Sequence, residues 1–195
     1  MNSNDLKLNQ IQVIGSHNSY RIHPVQDMFN LMTGLNPELA AELDYGHPSF
    51  DVQFSQHGIR QIEIDVYHDP EGGLFYNQRG NLFIGLPVPS GIEELLDPGL
   101  KVLHFPDIDY RTHYLTFIDA LTAVKTWSDA NPNHIPIFIL VEAKEDGLAN
   151  VYPSLSGFTQ PLPFDRDALD AIDADIRSVF GNDLNKVITP DDVRG

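Results

Sequence analysis

Short apolar runs alternate along this chain with longer stripes at helical spacing. Residues 11–14 form the first apolar run and read as a strand that ends in the turn Gly15-Ser16-His17-Asn18-Ser19-Tyr20. Residues 61–68 alternate with a period of two, so Glu63 and Asp65 share one face and Ile62, Ile64 and Val66 the other. Residues 101–105 predict a third strand carrying His104, and 136–144 a fourth. That fourth run is apolar almost throughout until Glu142, which predicts burial on both faces. Residues 82–84 and 186–188 are shorter strand candidates.

Helical patterns fill the gaps. Residues 27–43 predict one or two short helices around an Asn36-Pro37 break. Residues 49–57 set Phe50 and Phe54 four positions apart, with Gly58 as the stop. Residues 115–130 carry Phe117, Ile118, Leu121, Val124 and Trp127 as an apolar stripe that closes at Asn131-Pro132. Asp165 is placed to cap a helix with Leu169, Ile172, Ile176 and Phe180 at core spacing, ended by Gly181. Residues 74–99, rich in Gly, Pro and Asn, read as an irregular insertion.

Strands separated by helices predict an α/β fold with a parallel sheet. The polar residues fall at the carboxyl ends of successive strands: His17, then Asp65 and His68, then His104, then Glu142 and Lys144. A barrel of the (β/α) TIM type gathers all strand ends on one rim, which favours it over an open sheet. Such barrels take about 250 residues, so the 195 residues predict a single catalytic domain over 1–195 that holds only the N-terminal part of a barrel.

Composition narrows the function. With 28 acidic and 12 basic residues the net charge is −16, and there is no basic stripe for nucleic acid. Electrostatic docking to an anionic bilayer is disfavoured for the same reason. The absence of cysteine excludes disulfides and thiolate ligands. No stretch is apolar enough to span a membrane, and Met1-Asn2-Ser3-Asn4-Asp5 lacks the features of a signal peptide.

The candidate chemistry is a metal-assisted reaction on a phosphate ester. Two acids on one face of a buried strand are costly unless a cation binds them. Glu63 could instead pair with Arg60 or Lys101, and Glu142 with Lys144. Lys144 is a candidate phosphate contact, or it neutralises the acids. Asp107, Asp109 and Arg111 read as a solvated loop, and His23, His47, His57, His113 and His134 as structural or surface residues.

Four stretches, Ile14-Gly-Ser-His-Asn-Ser-Tyr20, residues 61–70, residues 101–109 and residues 127–144, resemble the calcium-dependent phosphatidylinositol-specific phospholipases C, especially the bacterial type. The resemblance implies a distorted barrel with calcium at its mouth. It also implies cleavage of the glycerol–phosphate bond by attack of the inositol 2-hydroxyl. By residue match, His17 is similar to the base histidine and His104 to the histidine that protonates the leaving oxygen. Asn18, Glu63, Asp65 and Glu142 match the calcium ligands. His68 is an additional imidazole and a rival for the acid role, since Phe105-Pro106 follows His104 where the animal enzymes are glycine-rich. The implied partner is a phospholipid or soluble phosphodiester met in transient contact with a membrane surface, and the implied location is secreted or periplasmic. Glycerophosphodiester phosphodiesterase is the rival enzyme, although that family opens on His-Arg-Gly where this chain has His17-Asn18-Ser19. A non-catalytic calcium-binding barrel module is the other alternative.

Overall fold

The computed structural model describes residues 7–152 and 157–194. Residues 1–6, which carry the reading on a signal peptide, lie outside them. Two parallel strands, β1 (Gln61–Val66) and β2 (Phe138–Ala143), form the sheet among the described residues. Around them run α1 (Gln26–Leu35), α2 (Pro37–Glu42), α3 (Phe50–Gln56), α4 (Phe117–Ala130), α5 (Leu148–Val151), α6 (Arg166–Phe180) and α7 (Pro190–Arg194). The crossover between the parallel strands contains α4, the arrangement that parallel pairing requires.

The alternation in β1 works as the sequence predicts. Ile62, Ile64 and Val66 are fully buried against Phe50 and Phe54 of α3 and Leu121, Val124 and Trp127 of α4. Helix α6 lays Ile172, Ile176 and Phe180 on the same core. The local stop signals also hold. Asn36 separates α1 from α2 by accepting from the Leu39 amide at 3.1 Å, and Asp165 caps α6 by accepting from the Ala168 amide at 3.0 Å. Gly58 takes the left-handed conformation that ends α3, with φ of 67°.

Several expected elements are absent or differ. Residues 11–14 form no strand; only Gly15 bridges Gln61. The chain there turns across the edge of β1, and Ser19 takes over its hydrogen bonds, its amide donating to the Glu63 carbonyl and its hydroxyl accepting from the Glu63 amide. Residues 82–84 lie in a 3₁₀ helix, Arg79–Ile84, with Leu82 and Phe83 exposed. In 101–105, Lys101 makes single antiparallel bridges to Tyr67 and Thr116, and no ladder follows because the chain folds into a turn where Phe105 pairs with Asp109. Lys186 ends a 3₁₀ helix, Gly181–Lys186, and no strand forms over 186–188.

Strand β2 is not buried on both faces. Ile139 and Val141 reach the core, but Leu140 is 53% exposed because β1 covers only one edge and no second layer covers that face among the described residues. Leu169 and Ile118, predicted as core, are also exposed.

Candidate metal and acid–base site

The face of β1 opposite the core carries the acids. Parallel register sets Asp65 beside Glu142 and Ile64 beside Val141. One carboxylate oxygen from each of Glu63, Asp65 and Glu142 lies within 4.8 Å of the others. Glu63 and Asp65 are buried, whereas the Glu142 side chain is half open to solvent.

Asp65 is the most constrained of the three. Neither of its oxygens has a hydrogen-bond partner, which is a costly state for a buried carboxyl. Burial pushes its pKa from the ordinary value to about 6; the Lys144 ammonium opposes that rise and the Glu142 charge adds to it. Lys144 Nζ stands 3.6 Å from Asp65 Oδ2 and 3.4 Å from Glu142 Oε1. The alternative partners of Glu63 are engaged elsewhere. Arg60 donates to the carbonyls of Phe54 and Ile59, and Lys101 pairs with Asp69.

The turn after residue 14 delivers Asn18 and His17 to the same corner. Asn18 is buried in the left-handed region at φ 49°, and its amide donates to Glu63 Oε2 at 3.1 Å. Its side-chain nitrogen donates to the Tyr45 hydroxyl at 2.8 Å, and its Oδ1 accepts from the Tyr20 hydroxyl at 3.5 Å. His17 Nε2 is 3.6 Å from Glu63 Oε2, and its Nδ1 is 3.2 Å from the Tyr45 oxygen. The His17 ring is largely exposed and borders a cleft of ≈ 550 Å³ with Tyr45, His47 and Gln53. His47, read as structural, donates to the His17 carbonyl at 2.8 Å, and burial lowers its pKa.

His104 approaches from the 101–105 segment. Its Nδ1 lies 2.7 Å from Asp109 Oδ2. His68 lies past the end of β1, three residues beyond Asp65. Its ring lies 6.1 Å from that of Phe164, and it makes no hydrogen bond or ion pair with the acids among the described residues.

Sequence reasoning missed the supports. Asp107 and Asp109 are buried rather than solvated, each capturing donors from distant segments; Arg111 is exposed, as expected. Tyr45 and Arg21 went unmarked because neither belongs to a periodic pattern. The one signal was position, since Arg21 directly follows the Asn18-Ser19-Tyr20 turn.

The residues present suit a hard divalent cation. Carboxylate oxygens in excess, two of them buried without a hydrogen bond, match the donor set calcium prefers. Glu63, Asp65 and Glu142 are the side chains whose oxygens converge closely enough to hold it, and Asn18 adjoins them through the bond from its backbone amide to Glu63.

The chain is thus a mixed α/β protein with three carboxylates gathered from two strands and His17 against one of them. The family model described as phosphoinositide phospholipase C, Ca²⁺-dependent, matches residues 6–195, and the chain belongs to that family. Calcium is accordingly its cofactor. No curated protein and no solved structure matches the chain. Among the described residues no helix is long and apolar enough to cross a membrane.

Proposed function

We propose that the chain is the catalytic domain of a phospholipase C of the bacterial type that cleaves the glycerol–phosphate bond of phosphatidylinositol. One observation carries the reading: three carboxylates from two strands converge within 4.8 Å of one another, with His17 Nε2 3.6 Å from Glu63. The β1–α4–β2 crossover supports a barrel-type fold, because a parallel pair joined by a helix is the unit such barrels repeat.

When bound, calcium supplies electrostatic stabilisation of the phosphoryl oxygens and makes the attacking hydroxyl more acidic. With Nδ1–H donating to the Tyr45 oxygen, His17 keeps the lone pair on Nε2 to take the proton of the inositol 2-hydroxyl. That oxygen bonds to phosphorus. The glycerol–phosphate bond breaks, its electron pair goes to the glycerol oxygen, and His104 supplies the proton there. Lys144, in contact with Asp65 and Glu142, offsets charge at the acid cluster.

The test is turnover of phosphatidylinositol in calcium and in chelator, with wild type and His17→Ala. The expected result is chelator-sensitive cleavage that falls on the order of 10²–10⁴-fold in the variant, with an unchanged circular-dichroism spectrum. Undiminished turnover in the variant overturns the assignment of the base, and calcium-independent cleavage overturns the role of the acid cluster.

A further inference from the structure

Asp109 is a buried carboxylate that takes no part in the proton transfers above. Asp109 Oδ2 lies 2.7 Å from His104 Nδ1 and also 2.7 Å from Arg21 Nε. Both partners of the Arg21–Asp109 pair are fully buried. The guanidinium is held on its other sides as well. It donates to the carbonyls of Tyr45 and, at 3.0 Å, Leu43, and its carbon stands 4.7 Å over the Tyr45 ring. It therefore has little freedom to rotate away.

The backbone fixes Asp109 with equal care. Phe105 and Asp109 exchange amide–carbonyl hydrogen bonds of 3.0 Å each, closing a turn that folds Asp109 back onto His104. Asp107 sits inside that turn at φ 71°, and its carboxylate accepts from the amides of Arg79 at 2.7 Å and Thr159 at 2.9 Å. A loop stapled on three sides is an expensive way to place a solvated acid. It is a sound way to aim one at an imidazole.

We infer that Asp109, clamped by Arg21, is a positioning residue that fixes the orientation and tautomer of His104 for proton transfer. The inference rests on the reading of His104 as the proton donor. An ionised carboxylate only accepts hydrogen bonds, so His104 carries its fixed proton on Nδ1. The transferable proton is then on Nε2. When the glycerol–phosphate bond breaks and its electron pair moves to the glycerol oxygen, the Nε2 proton goes to that oxygen, and the ring is left neutral with Nδ1–H still on Asp109. The same guanidinium stacks on Tyr45, whose hydroxyl contacts His17, so one buried cation braces the supports of both histidines.

Asp109→Asn tests this, because a single oxygen serves both Arg21 and His104: an amide oxygen in that place lacks the charge that holds Nδ1–H, and an amide nitrogen there donates to Nδ1 and enforces the wrong tautomer. Two substrates are compared: phosphatidylinositol, whose alkoxide leaving group needs a proton, and an inositol phosphodiester with a nitrophenolate leaving group, which needs little. The expected result is a loss on the order of 10²-fold on the lipid and a much smaller loss on the nitrophenyl ester. Equal losses on both substrates mark Arg21–Asp109 as a structural staple and overturn the inference. His104→Ala separates this from the underlying reading. If it lacks the same selective loss, His104 is not the acid and both fail; if it has it and Asp109→Asn does not, only the inference fails. Should Asp109→Asn not fold, ring-nitrogen NMR of the wild-type protein decides, since a neutral His104 with its proton on Nε2 overturns the inference.

Discussion

Asp65 and Glu142 stand opposite each other on neighbouring parallel strands, one fully buried and the other half exposed. Like charges so placed repel. Lys144, two positions past Glu142, reaches both carboxylates, yet both Asp65 oxygens still lack a hydrogen bond. The fold thus holds an electrostatic arrangement that becomes favourable once a divalent cation enters.

Removing either member of this pair should weaken calcium binding. Asp65→Asn and Glu142→Gln are each expected to raise the calcium dissociation constant by at least about tenfold, because affinity follows ligand charge and count. Isothermal titration calorimetry measures it directly. Unchanged affinity in Glu142→Gln would mean that the cluster seen across β1 and β2 does not bind the metal.

The raised pKa of Asp65 makes the calcium-free protein sensitive to pH. Its folded value of about 6 lies above the ordinary carboxyl value, so the folded state prefers the protonated form. The stability this contributes is complete below pH of about 4 and is lost as pH rises through about 6. In chelator, the melting temperature of wild type should fall across that window relative to Asp65→Asn. Parallel curves for the two proteins would contradict it. Adding calcium should remove most of the penalty at the upper end.

Tyr45 joins Asn18 and His17 through one hydroxyl. Tyr45→Phe should lower phosphatidylinositol turnover by about 10–100-fold, the usual effect of losing an outer-shell partner. Its cost in stability should stay near 1 kcal/mol, that of one hydrogen bond. Steady-state kinetics beside thermal melts distinguish the two effects, and a variant that melts normally with full activity would remove Tyr45 from the site.

Ile64 lies between the two acids in sequence but points the other way, fully buried against α3 and α4. Ile64→Ala should cost about 2–5 kcal/mol of stability without altering calcium affinity beyond the loss of folded protein. Chemical denaturation read beside calorimetry checks both halves. A cost below about 1 kcal/mol would mean that this face is not the core.

The sequence by itself determined what neighbouring residues decide. Period-two alternation in 61–66 put Glu63 and Asp65 on one face and the isoleucines on the other, because successive side chains in a strand point to opposite sides. The Asn36-Pro37 break, the Asp165 cap and the Gly58 stop are local backbone chemistry, and they held. Residue types pointed to the paired acids of 61–66 as metal candidates, since calcium demands a narrow set of side chains, and the resemblance added Asn18, Glu142 and the roles of the histidines.

Tertiary structure decided the rest. Residues 11–14 and 101–105 are as apolar as many strands, yet a strand exists only where a partner's edge is free to pair with it, and Ser19 and the 105–109 turn consume those hydrogen bonds instead. The register that seats Glu142 beside Asp65 depends on pairing between segments far apart in the chain. Asp109 shows the limit most clearly. In sequence it is one acid in a polar loop; in space it is a buried carboxylate between Arg21 and His104. Burial of a charge depends on partners that only the folded chain brings within reach, and that is why proximity in the sequence could not reveal it.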